Sequence, residues 1–284
     1  MSTRADRQAV VVGVDDSSTS LNAARWAAYL AANLHAPLLI ASALGRRVPA
    51  GIGVLDDVRS SHWYGSAREI AYRSVELVRT CEPELTIDTV IAPQSAASAL
   101  VDLSGHARFL VVGGQTTFGA RMTGPTTAHV ADHAHCPVVV WRGENGHPIP
   151  RDKPVAVGVD GTELSASAIA HGFELAAALG VSLVAVHTWP SRIEPIGRHL
   201  DRGEAECVLL AESLAGWRTE YPDVAVTEMS VPGFAPTVLT EIAEQVQLLV
   251  VGSRGRGSAI SAIAGSTSRD LLHHASCPIL ICRP

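Results

Sequence analysis

Three glycines and a run of hydroxyl side chains near the carboxyl end carry the clearest chemistry in this sequence. From Gly252 the chain reads GSRGRGSAISAIAGSTS, so Gly255 follows after two residues and Gly265-Ser266 after nine more. Glycines let backbone N–H groups close on an oxyanion with no β-carbon in the way. Gly265, Ser266, Thr267 and Ser268 are placed to open a helix. Free amides, the positive end of the helix dipole and hydroxyls then converge on one point, which suits phosphate. The run is not a Walker loop, because no lysine follows Gly265. Nor is it the dinucleotide fingerprint, which belongs after a first strand, where this chain has GVDG. Asp160 ends that apolar run, VAVGVD, and supplies a carboxylate.

The elements that must position these groups repeat. VVVGVDDSSTS (10–20) matches VAVGVDGTELS (155–165), FLVVGG (109–114) matches LLVVGS (248–253), and HAHCPVVVWR (133–142) matches HASCPILICR (274–283). Order is preserved and the spacing drifts by only a few residues, as loop insertions would produce. GENGHPIPRD (143–152) reads as a linker, which gives domains 1–146 and 147–284. In the second copy, strand-like runs at 153–159, 181–188, 224–230, 247–252 and 278–282 alternate with helical periodicity at 165–179, 202–220, 235–246 and 266–275. Ser165 falls at the expected start of the first of these helices. Alternating strand and helix predicts a doubly wound α/β fold, Rossmann-like, with a five-stranded parallel sheet of order 3-2-1-4-5 in each domain. Ligands of such sheets bind beyond the strand ends where the order reverses, between strands 1 and 4. Asp160 and Gly252 end those two strands.

On these residues the chain resembles a tandem universal stress protein. ATP-binding members of that family carry G-x-x-G-x9-G-S/T after strand 4 and an aspartate ending strand 1, and the second copy matches both at full spacing. The resemblance implies that Gly252, Gly255, Gly265, Ser266 and Thr267, with Ser268 behind them, hold phosphates and ribose. It implies that Val159 and Asp160 lie near the adenosine, with Asp160 nearest any magnesium carried by ATP, and that the backbone around Thr188 lines the adenine. Arg254 and Arg256 are placed to screen phosphate charge or to sit solvated in the loop.

The first copy departs from this pattern. Its loop, GGQTTFGARMTGPTT (113–127), is two residues shorter, Thr116 replaces the second glycine, and Pro125 stands where serine should follow Gly124. Proline at a first helical position removes one backbone donor and the hydroxyl. A weaker site there would use Asp15, Ala43, Gly113, Gly124, Thr126 and Thr127, with Arg121 in reach. A half retained for pairing is the alternative.

Other signals carry less. His129, His133 and His135, and likewise His273 and His274, read as solvated or capping histidines near helix ends rather than metal ligands. Cys136 and Cys277 read as small buried apolar residues, and His187 as a packing residue beside the expected adenine position. Net charge is −6 and aromatic content 5%, which gives no footprint for nucleic acid or an anionic membrane. No signal peptide or membrane-length apolar run is visible, and five cysteines without C-x-x-C fit reduced thiols, so a cytoplasmic protein is expected.

The expected function is an ATP-binding regulatory protein of stress tolerance, at most a weak ATPase. The alternatives are a scaffold that binds no nucleotide, a regulator binding AMP or cyclic AMP, and an adenylating enzyme, whose signature loops are missing. The final strands PVVVWR (137–142) and PILICR (278–283) would pair within the chain, and a homodimer is a further expectation.

Overall fold

Valine-rich runs such as AVVVGV and VAVGV suit the interior of a parallel sheet covered on both faces. The structure is a computed structural model that describes residues 8–44, 55–114, 123–143, 149–190, 196–253 and 265–283. The chain divides into two compact units, Met1–Gly146 and His147–Pro284.

The first unit runs β1 (Ala9–Val14), α1 (Ser18–Asn33), β2 (Leu38–Ala43), α2 (Leu55–Cys81), β3 (Ile87–Ala92), α3 (Ala96–Ser104), β4 (Ala107–Gly113), α4 (Pro125–His133) and β5 (Val138–Trp141). β1 pairs in parallel with β2 and β4, β2 with β3, and β4 with β5, which gives the order β3-β2-β1-β4-β5. The second unit repeats this with β6 (Val155–Val159), α5 (Ala166–Leu179), β7 (Leu183–Trp189), α6 (Ile196–Glu220), β8 (Val226–Pro232), α7 (Ala235–Ile242), β9 (Leu248–Gly252), α8 (Ser266–His274) and β10 (Ile279–Cys282). Its parallel pairings give β8-β7-β6-β9-β10. The order reverses between β1 and β4 in one unit and between β6 and β9 in the other. Among the described residues no helix is long and apolar enough to cross a membrane.

Strand ends differ from the sequence reading by one or two residues, and the helices α6, α7 and α5 differ as follows. α6 begins at Ile196 rather than 202. α7 stops at Ile242 rather than 246, because Gln247 is needed elsewhere. Its amide donates to the Pro154 carbonyl and its side chain to the carbonyls of Arg151 and Lys153, which aligns β9 with β6. Ser165 holds the N-cap position of α5, as expected, but makes no side-chain cap bond. A single 3-10 turn, Glu163–Ser165, precedes the helix, and the Ser165 hydroxyl donates back to the Thr162 carbonyl at 2.8 Å. The helix packs tightly on the sheet at Gly172, where a β-carbon would come within 3.2 Å of the Val157 Cβ.

Candidate functional site

In the second unit the strand ends open into a cavity of about 310 Å³. Val159 and Asp160 enter it from β6, Thr188 from β7, Gly252 from β9, and Gly265 through Ser268 from the start of α8. Every sequence-predicted residue of this site that the structure describes is therefore in one place. Arg254 and Gly255, with Arg256, lie outside the described residues.

Asp160 divides its carboxylate between two tasks. Gly161 follows it with φ at +73°, a conformation that favours glycine, and turns the chain sharply. Oδ1 accepts from the Thr162 amide at 2.9 Å and the Thr162 hydroxyl at 2.7 Å. Oδ2 is buried and has no hydrogen-bond partner among the described residues. A carboxylate oxygen held dry without a donor is costly, by about 1–3 kcal/mol or more. A cation or a ligand hydroxyl at that point would relieve it.

The amino terminus of α8 supplies the opposite charge. Gly265 caps the helix in extended conformation without a side-chain bond, and its carbonyl accepts from Arg269. The amides of the first helical residues thus have no partner within the helix. Ser266 is exposed and Thr267 half-buried, whereas the buried Ser268 hydroxyl donates to the Gly265 carbonyl at 3.0 Å and is occupied. The Gly265 amide donates to the Ser253 carbonyl at 2.6 Å, and the Ser253 amide to the Cys282 carbonyl at 2.7 Å. These bonds fix where the helix starts relative to β9 and β10.

The first unit forms the counterpart, a cavity of about 220 Å³ that Asp15, Ala43, Gly113, Gly124, Thr126 and Thr127 all line. Its chemistry is poorer. Asp15 is exposed, and its Oδ1 accepts from the amide and hydroxyl of Ser17, which in turn caps α1 by accepting from the Ser20 amide. Pro125 takes the first helical position of α4 and brings no N–H. The Thr127 hydroxyl donates to the Gly113 carbonyl at 2.7 Å. Thr116 and Arg121 lie outside the described residues.

The universal stress protein family profile matches residues 7–142 and 153–283, once in each unit. The chain belongs to the universal stress protein family. A universal stress protein of Mycolicibacterium smegmatis is 36% identical over 97% of both chains. One of Mycobacterium tuberculosis is 34% identical over 96% of both. The solved universal stress protein of Archaeoglobus fulgidus superposes with a TM-score of 0.72 over 97% of this chain and 96% of its own, at 16% identity, and so shares the fold.

In this universal stress protein the remaining candidates have structural roles. His187 does not line the cavity. Its ring is fully buried, with Nδ1 2.7 Å from the Val159 carbonyl and Nε2 2.8 Å from Glu206. A carbonyl only accepts, so Nδ1 carries a proton and the ring tethers the end of β6, next to Asp160, to α6. His133 Nδ1 lies 2.9 Å from the His129 carbonyl, and His274 Nδ1 the same distance from that of Asp270, both satisfying helix ends. Among the described residues no group of three or more ligating side chains could hold a metal ion. Cys136, Cys277 and Cys282 are buried, while Cys207 is exposed. Burial pushes the Cys277 thiol up to about 12. Several lining residues escaped the sequence reading, among them Val186, Leu239 and Phe234, the last at the amino end of α7. The signal for Phe234 was present, because the repeat places it opposite Ser95.

Proposed function

We propose that this universal stress protein is an ATP-binding regulatory protein that holds the nucleotide in its second unit and hydrolyses it slowly or not at all. One observation carries the reading: the unpartnered buried oxygen of Asp160 and the free amides opening α8 share one cavity at the strand-order switch. The two ends offer opposite charge, as a magnesium-bound or ribose-linked phosphate chain requires.

In this reading the amides and hydroxyls of Ser266 and Thr267 take phosphate oxygens, and Gly252 keeps the path clear of a side chain. Asp160 Oδ2 accepts a ribose hydroxyl or contacts magnesium brought by the nucleotide. Magnesium, when bound, neutralises phosphate charge. The backbone at Val159 and Thr188 borders the base. Among the described lining residues Asp160 is the only ionisable side chain, and in this reading its second oxygen serves the ribose or magnesium rather than the activation of water. Occupancy would then act through conformation or association in the cytoplasm rather than through turnover.

The test is to purify the protein gently, denature it and quantify the released nucleotide. One ATP per chain, lost on Gly265→Val, supports the reading. No nucleotide, and none taken up after soaking with ATP and magnesium, overturns it and favours a scaffold. Release of AMP or cyclic AMP instead would correct the ligand and keep the site.

A further inference from the structure

Phe234 stands where a helix needs a polar cap. It is the N-cap residue of α7, extended at φ −86° and ψ 118°, and gives that helix no side-chain hydrogen bond. In the first unit Ser95 holds the same position ahead of α3, and its hydroxyl accepts from the Ser98 amide at 3.3 Å. Serine is among the best caps and an apolar residue among the worst, so phenylalanine here gives up helix stability. It is also 66% exposed, which leaves a large aromatic surface in water. Both costs fall on one side chain, and that side chain lines the cavity.

Its place in the cavity says what it faces. Pro232 is the register partner of Trp189, and the Gly233 amide donates to the Trp189 carbonyl at 2.9 Å. Phe234 therefore leaves β8 beside the end of β7, where Thr188 and Pro190 line the same space. The strands run β9, β6, β7, β8 across the sheet. From Gly252 to Phe234 the cavity thus crosses three strand spacings, about 14 Å. One end presents the amides of α8. The other is apolar, with Val186 and Leu239 in the wall and Phe234 at the rim. A ligand that fills both ends is charged at one and flat and apolar at the other.

We propose that Phe234 stacks on the nucleobase and makes the second unit select purine nucleotides over nucleotides with a smaller ring and over phosphate chains with no base. This rests on the nucleotide reading above and deepens it. Aromatic side chains bind bases through their π-faces, and a purine offers the larger one. Phe234 is then a specificity-determining residue, and the missing cap is the structural cost of placing it there.

The experiment is titration calorimetry on the full chain with ATP, CTP and inorganic tripolyphosphate, for the parent protein, Phe234→Ser and Phe234→Tyr. The parent binds ATP more tightly than CTP or tripolyphosphate. Phe234→Ser loses about tenfold in ATP affinity, as truncating a stacking aromatic does, while its tripolyphosphate affinity stays within about twofold. Its melting temperature holds or rises, because serine restores the cap that Ser95 provides in the other unit. Phe234→Tyr keeps the preference for ATP. A Phe234→Ser protein that binds ATP like the parent overturns the stacking role. So does one that loses ATP and tripolyphosphate equally, or one that melts earlier in step with its loss of binding. If the parent binds none of the three probes, the nucleotide reading itself fails, and the stack with it.

Discussion

Asp15 and Asp160 end equivalent strands, and each commits one oxygen to the turn that follows. What comes next separates them. Gly161, with its positive φ, bends the second unit into a 3-10 turn before α5, and the remaining oxygen of Asp160 ends up buried and unpartnered. The first unit has Asp16 at that step, paired with Arg73 at 2.9 Å on the surface, and α1 starts at once behind its Ser17 cap, with Asp15 exposed. A second difference lies at the helix that faces the aspartate, where Ser266 in one unit answers Pro125 in the other. The hydroxyls two positions further on, Ser268 and Thr127, are both used internally and do not distinguish the units. Two units can therefore share a fold and a cavity while differing in one amide, one hydroxyl and the burial of one carboxylate. Binding chemistry resides in those few atoms and not in the fold.

The comparison breaks most readily at Ser266. Ser266→Pro imports the first unit's residue and removes an amide and a hydroxyl from a charged ligand, so ATP affinity measured by calorimetry should fall about a hundredfold. The melting temperature should move little, because proline is welcome at a first helical position. Unchanged affinity would show that the two helix starts are equivalent after all. Asp160→Asn should weaken ATP about tenfold with magnesium and clearly less in EDTA, while stability changes little, because the amide oxygen of asparagine can still accept from Thr162. An equal loss in both media would remove magnesium from the role of Asp160. Pro125→Ser, made on the Ser266→Pro background so that only the first unit reports, should gain a few-fold in ATP affinity. No gain would locate the deficiency at the exposed Asp15 instead.

The smallest effect is nil near neutral pH and appears only in base. With the Cys277 thiol raised to about 12, the folded chain retains a proton that the unfolded chain releases from about 9 upward. The unfolded state then binds fewer protons, so stability is full below about pH 9 and falls as pH rises towards 12, by up to about 1.4 kcal/mol per pH unit. Urea denaturation of Cys277→Ala should show a flatter alkaline arm than the parent. Cys136→Ala tests whether the first unit's counterpart behaves alike. An arm unaffected by Cys277→Ala would mean that other groups cause it.

Much of this was legible because parallel βαβ units write themselves plainly: buried strands as unbroken Val and Ile runs, helices as apolar periodicity, the duplication as repeated segments. The phosphate-facing residues were legible from spacing, and those that the structure describes do share a cavity. What stayed hidden depends on individual atoms or on distant partners. The type of Asp160 shows a carboxylate but not that its two oxygens part company. His187 and Glu206 are nineteen positions apart and meet only once α6 lies over β7. The early end of α7 was hidden because propensity favours continuing the helix, and the bonds of Gln247 to a distant strand entrance override it. Phe234 needed the cavity wall before its oddity as a cap acquired a meaning.

The 2.6 Å bond from the Gly265 amide to the Ser253 carbonyl has an evolutionary side. It brings the chain back to one fixed point, whatever number of residues is spent between those two positions. Closing such a segment costs only about 0.6 kcal/mol more for each doubling of its length. Insertions and deletions there are thus nearly neutral for folding, and the two halves of a duplicated gene can drift apart in that stretch without disturbing the helix that follows. In this chain the stretch from Gly113 to Gly124 is already two residues shorter than that from Gly252 to Gly265. With the tether in place, the helix that follows keeps its start while the length of the stretch before it changes.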